Sequence, residues 1–167
     1  MTCRLILIRH AKSSWDDPMA DDHARVLNGR GRASAAAIGG WLAAKSYLPD
    51  VVLCSDAART AETLSLILRE LPNKPKVQFR GGLYHASPDH MLEVLQRQTA
   101  GTIALVAHNP GIGALACGLV AAKPDDRDFA RYPTAATAVI DFDVDTWAQV
   151  RPAQGVLVDF TTPRALM

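Results

Sequence analysis

Two arginines and two histidines in this 167-residue chain are notable for what precedes them. Arg9-His10 follows the apolar run CRLILI, Arg59 comes shortly after VVLCS and Asp56, and His108-Asn109-Pro110 follows TIALVA. Each run reads as a buried strand, and in open parallel sheets ligands bind beyond the carboxyl ends of strands. Three such ends would bring two guanidinium groups and two imidazoles to one place. A phosphoryl group in transfer spreads negative charge over its equatorial oxygens. Arginine is permanently charged, and its planar fork matches phosphate oxygens in pairs. Two arginines and a protonated histidine can neutralise that charge without a metal. Helix starts near Asp56 and Pro110 would add backbone N–H donors. A second, neutral histidine can attack phosphorus through a ring nitrogen. Taken singly, each residue has a plainer explanation: a surface Arg-His pair, Arg59 pairing with Glu62 or Asp56 on its own helix, His108 as a satisfied buried histidine. Convergence at three strand ends favours a site.

The elements needed to position these groups are legible. Cys3 to Ile8 reads as the first strand. From Ala33, small and apolar residues at 33, 36, 37, 40, 41 and 44 form one helical face, ending near Tyr47 before Pro49. Val51 to Cys54 is a second strand. Ala57, Ala61, Leu64, Leu68 and Leu71 then share a helical stripe that Pro72 stops. Lys76 to Phe79 is a weaker strand. Ser87-Pro88 starts a helix running to about Gln98, with Ser as cap and Pro in the first turn. Thr102 to Ala107 is the fourth strand, followed by a helix from Asn109-Pro110 to about Ala122. The stretch from Lys123 to Thr134 is charged and interrupted by proline, and reads as a loop. Thr137 to Phe142 and Val156 to Phe160 read as strands with only a turn near Asp143 to Asp145 between them, hence an antiparallel pair at one side. Strand–helix alternation implies an α/β fold: a three-layer sandwich, a mostly parallel central sheet with helices on both faces, in one domain over 1–167.

Composition narrows the function classes. A net charge of +1 creates no global field for nucleic acid or an acidic membrane. No apolar run is long enough to span a bilayer, and the opening MTCRLILIRH lacks the length and cleavage site of a signal peptide, so a cytoplasmic location is expected. Cys3, Cys54 and Cys117 lack metal-binding spacing and read as buried, inert thiols. His10, His23, His85, His90 and His108 show neither HxH nor HExxH spacing, so no metal or other cofactor is expected.

With these residues in view, the chain resembles the histidine phosphatase superfamily, the group that includes cofactor-dependent phosphoglycerate mutases. LILIRHAKSSW resembles the family's Arg-His-Gly motif, with Ala11 where Gly is usual; CSDAARTAET resembles its second arginine motif and VAHNP its second histidine motif. The motifs occur in the family's order. Within the superfamily, RHAKSSWDDP, DHARVLNGRGRASA and LYHASPDHML resemble the short SixA-type phosphohistidine phosphatases. The resemblance implies a phosphoglycerate mutase-like fold and a cofactor-independent phosphatase. It makes His10 the nucleophile, and Arg9, Arg59 and His108 the ligands of the phosphoryl group. His108 is expected to be protonated beside bound phosphate, and the tautomer of His10 to be fixed by donation to a carbonyl.

One departure bears on the substrate. Many members carry a glutamate after the third strand that protonates the leaving group, whereas RGGLYHAS has no carboxylate there. His85, Asp16 or Asp17 are the candidates for that acid, and none is preferred over a solvated loop residue. An alkoxide leaving group depends on an acid more than the labile P–N bond of phosphohistidine does. The gap therefore suits a phosphohistidine-bearing signalling or phosphocarrier protein as partner. The alternatives are a phosphatase for small phosphate esters, or a non-catalytic module that binds phosphoproteins. Lys12, Arg25, Arg30 and Arg32 read as a solvated basic face before they read as a recruiting patch, and Trp15 as a packing residue before a rim residue.

Overall fold

The computed structural model describes residues 2–167. Its strands are β1 (Cys3–Arg9), β2 (Val51–Ser55), β3 (Lys76–Arg80), β4 (Thr102–Ala107), β5 (Thr137–Phe142) and β6 (Val156–Thr161). Its helices are α1 (Gly29–Ala44), α2 (Ala58–Leu68), α3 (Pro88–Gln96), α4 (Gly111–Leu119), α5 (Arg127–Arg131) and α6 (Pro163–Leu166). The sheet order is β3-β2-β4-β1-β5-β6. The first four strands are mutually parallel, while β5 runs antiparallel to β1 and to β6, so the final pair does form an antiparallel edge.

This order positions the site. β4 inserts between β1 and β2, so three strands remote in sequence end side by side, with Arg9 in register with Ala107. The strands are apolar on both sides, and their side chains still divide by parity. Leu5, Leu7, Leu53, Ile103, Leu105, Ala138 and Ile140 join one core with α3 and α4; Ile6, Ile8, Val52, Cys54, Ala104, Val106 and Val139 join the other with α1 and α2. Leu5, Ile6, Leu7 and Ile8 are all essentially inaccessible, and burying each is worth about 2 kcal/mol. A one-residue slip of β1 would exchange the two faces and move His10 off its strand end, so packing fixes the position of His10.

Several boundaries differ from the sequence expectation. α1 begins at Gly29 rather than Ala33, because Asn28 caps it by accepting from the Gly31 N–H at 2.8 Å. It ends at Ala44, followed by Ser46 at φ 59°. A Cβ on Gly31 would lie 2.1 Å from the Lys12 carbonyl oxygen, so only glycine lets this helix start touch the loop after β1. The stretch expected to be loop contains α5, capped by Asp126 and closed by Tyr132 in the left-handed region; five residues are too few for a periodic signal. The turn between β5 and β6 carries a 3-10 segment at Trp147–Gln149, with Trp147 buried. Cys3 and Cys54 are buried, whereas Cys117, on α4, is only half-buried against the core. Among the described residues, no helix is long and apolar enough to cross a membrane.

Candidate active site

His10 is 6% exposed, at the point where β1 leaves the sheet. Its backbone is gripped from several directions: His10 N–H donates to Ala107 O at 3.1 Å, His10 O accepts from Ala135 N–H at 2.9 Å, and Ala11 N–H donates to Thr63 Oγ1 at 3.0 Å. The Thr63 hydroxyl in turn donates to the Arg59 carbonyl at 2.7 Å, tying the loop after β1 to α2. Ala11, where the family usually has Gly, is buried with φ outside the left-handed region, so its methyl group is accommodated. The His10 Nδ1 lies 2.7 Å from the Ala11 carbonyl oxygen. A carbonyl can only accept, so Nδ1 carries the proton and Nε2 keeps its lone pair. This is the tautomer a nitrogen nucleophile needs.

Arg9, Arg59 and His108 surround this imidazole. The His10 and His108 ring centroids are 5.3 Å apart. Arg9, the last residue of β1, donates from Nη1 to the Tyr132 carbonyl at 3.1 Å. Arg59 is 5% exposed on the first turn of α2. His108 is 4% exposed, and its Nε2 is 2.8 Å from the Ser55 hydroxyl at the end of β2. A cavity of about 370 Å3 is lined by these four side chains together with Arg25, Trp15 and His85. Arg9 Nε, Arg25 Nε, Arg59 Nε and His108 Nδ1 are buried and hydrogen-bonded to nothing in the protein. Unpaired buried nitrogens, three of them guanidinium donors, around one cavity suit an anion with several acceptor oxygens.

Burial governs the two imidazoles in the free site. Burial, with Arg9, Arg59 and Arg25 nearby, pushes His10 down to about 4 despite the Ala11 carbonyl that favours its charged form. Burial, then His10 and Arg59, push His108 down to about 3. Both imidazoles are therefore neutral at neutral pH in the free site, and His108 is not a standing cation. It can still donate: if the Ser55 O–H donates to Nε2, the proton of neutral His108 lies on Nδ1, the partnerless nitrogen. Arg9 is pushed down by burial and by Arg59, a sign of how crowded the cations are.

The sequence reading missed the rim. Arg59 does not pair with Glu62 or Asp56. Its Nη1 donates to the Asp22 main-chain oxygen at 2.7 Å, and its Nη2 contacts the Asp22 carboxylate at 3.2 Å. Glu62 is engaged by Arg32 at 2.6 Å and by the Leu27 N–H, and Asp56 by His23 at 2.8 Å. The Asp22 carboxylate also accepts from Arg25 at 3.0 Å and from the Tyr84 hydroxyl in a very short bond. The Tyr84 bond foremost, and then the two arginines, hold this acid far below the usual carboxylate range. Arg25 is only 13% exposed at its side chain, bonds the Ser13 hydroxyl and stacks on Trp15 with its guanidinium carbon 3.8 Å from the ring centroid. Arg25 is thus a third arginine of the cavity rather than part of a solvated face. Trp15 is 77% exposed and forms the rim rather than packing inside. Of the acid candidates, His85 lines the cavity and stacks on Tyr84 at 3.9 Å, whereas Asp16 and Asp17 are exposed and outside its lining. The only hint of this rim was the stretch DHARVLNGRGRASA, whose Asp22 and Arg25 follow no helical or strand period.

Comparisons with known proteins agree with this geometry. The histidine phosphatase superfamily (branch 1) profile matches residues 5–84. A protein from Nakamurella multipartitia, described as a candidate phosphohistidine phosphatase SixA, superposes with a TM-score of 0.81 at 31% identity, covering 98% of this chain and 97% of that one. An uncharacterized protein of Mycobacterium tuberculosis strain H37Rv is 35% identical over 164 residues, 94% of this chain and all of that protein. A phosphoglycerate mutase from Plasmodium falciparum shares the fold, with a TM-score of 0.65 at 17% identity over 96% of this chain and 91% of that one. The nucleophile-ready imidazole, its arginines and these relatives lead to one conclusion: the chain belongs to the histidine phosphatase superfamily and is SixA-like within it.

Proposed function

We propose that this phosphatase removes the phosphoryl group from phosphohistidine in a signalling or phosphocarrier protein, through a covalent phosphohistidine on His10. The observation that carries the mechanism is the His10 Nδ1 to Ala11 carbonyl bond of 2.7 Å, which frees Nε2 in a cavity lined by Arg9, Arg25 and Arg59. In the first step the Nε2 lone pair attacks phosphorus. The substrate P–N bond breaks, its electron pair passes to the departing imidazole nitrogen, and that nitrogen takes a proton from water or from His85. In the second step water attacks phosphorus, the P–N electron pair returns to His10 Nε2, the water gives up a proton to solvent or to His85 where that residue was the donor, and inorganic phosphate leaves. Arg9, Arg25, Arg59 and the His108 donor take up the charge on the equatorial oxygens throughout.

Two features support the phosphohistidine substrate over a small ester. The carboxylate nearest the arginines, Asp22, is held ionised, so it is a poor source of a proton for an alkoxide. The rim presents Trp15, 77% exposed, and Met19, 90% exposed, among exposed aspartates, a mixed polar and apolar surface that suits contact with a protein. A non-catalytic binding module would have no use for a neutral His10 in the attacking tautomer.

The test is turnover of a phosphohistidine protein beside a panel of small phosphate esters, with the wild type and His10→Ala. We expect the phosphoprotein to be preferred. His10→Ala should lose activity by about 10^4-fold or more while still binding phosphate. Substantial residual turnover would remove His10 as nucleophile, and preference for an ester would overturn the substrate.

A further inference from the structure

Beside the catalytic cavity lies a second one, of about 280 Å3, that shares Lys12 and Thr134 with it. Its charged side chains are Lys12, Arg30, Arg164 and Asp128, so three cations face one carboxylate. Arg32, two residues beyond Arg30 on α1, is by contrast engaged with Glu62 at 2.6 Å. Among the described residues, the charged ends of Lys12, Arg30 and Arg164 make no ion pair or hydrogen bond, and all three residues are exposed. Arg30 also stands in the first turn of α1, a 16-residue helix whose N-terminal dipole adds to the same positive potential. Lys12 is two residues beyond the nucleophile. Two residues of chain span at most about 7 Å, so the two cavities lie within reach of one short stretch of polypeptide.

We propose that this second cavity receives an acidic side chain of the substrate polypeptide, an Asp or Glu near the phosphorylated histidine, and so selects phosphohistidine in an acidic setting. The proposal rests on the phosphohistidine-protein reading above. The reacting phosphoryl group occupies the arginines of the first cavity, and the neighbouring carboxylate meets Arg30 and Arg164 in the second. Lys12 stands on the wall between them. The overall charge of +1 supplies no long-range attraction, so the selection is local to this face.

The test uses two peptides that differ only in whether Glu or Gln flanks the phosphohistidine, with the wild type and the Arg30→Ala, Arg164→Ala double variant. Binding is measured with a stable phosphonate analogue of phosphohistidine in the same two sequences, and turnover with the phosphorylated peptides. The wild type should bind the Glu peptide about 3- to 10-fold more tightly at low salt. The double variant should erase that preference and leave the Gln peptide unchanged. Equal binding of the two peptides by the wild type overturns the proposal, as does a preference that survives in the double variant. A binding preference without turnover of either peptide upholds the second site and overturns the phosphohistidine hydrolysis reading instead.

Discussion

The floor and the rim of the catalytic cavity are built differently. Arg9, His10 and His108 extend strands whose side chains fill both cores, and Arg59 stands on the first turn of α2, just beyond the end of β2. Apolar packing and the sheet ladder set their positions. The rim, residues 12–27 with Tyr84 and His85, has one deeply buried apolar anchor, Leu27. Polar contacts hold the rest: Asp22 with Arg59, Arg25 and Tyr84, His23 with Asp56, and Leu27 N–H with Glu62 at 2.9 Å. The difference separates two tasks. Chemistry needs groups held to a fraction of an ångström, which buried strands provide, whereas recognition is placed on loops that adjust.

The sharpest way to break this division is to remove a floor cation. Arg59→Ala should lower kcat/KM by about 10^2- to 10^3-fold, measured with a small aryl phosphate that touches little of the rim. A loss of only a few-fold would mean that the rim arginine, Arg25, carries the charge instead.

Acid probes the floor next. An unfolded histidine titrates near 6.5, whereas His10 is pushed down to about 4 and His108 to about 3 in the folded protein. Below pH 6.5 the unfolded chain therefore binds protons that the folded chain refuses, and stability falls as pH falls toward 4. His10 alone should account for about 2–3 kcal/mol of that loss between pH 7 and 4.5. Urea unfolding at those two pH values should show a smaller loss for His10→Ala than for the wild type. Equal losses would show that the floor is wetter than its burial implies.

The smallest effect belongs to the rim. Asp22→Asn keeps the shape of the side chain and removes a negative charge from beside Arg59 and Arg25. Inorganic phosphate should then bind about 3- to 10-fold more tightly at low salt, with the gain shrinking as salt rises. Weaker binding would show that the carboxylate organises the arginines more than it opposes the anion, and that floor and rim are not separable.

The floor was legible in the sequence and the rim was not, for a physical reason. CRLILI, VVLCS and TIALVA are short apolar runs, and the residues just after such a run lie beyond the end of a strand whatever the strand order. Arg9, His10, Arg59 and His108 could therefore be named without coordinates. Asp22 and Tyr84 are 62 residues apart and meet through one hydroxyl, a contact that no periodicity encodes. Nothing local in the sequence shows that Trp15 and Ser13 shelter Arg25 from solvent. The low proton affinity of His108 in the free site is hidden from the sequence because burial and the proximity of His10 are properties of the packed state.

By itself the sequence determined the alternation of strands and helices, the four groups at the strand ends and the phosphoryl chemistry they serve. These depend on short-range patterns and on side-chain type. Only the tertiary structure decided that β4 lies between β1 and β2, bringing His108 to His10, and that Asp22, Arg25 and Tyr84 close the rim. Strand order and loop docking depend on contacts between residues far apart in the chain, whose energies exist only once the cores have packed.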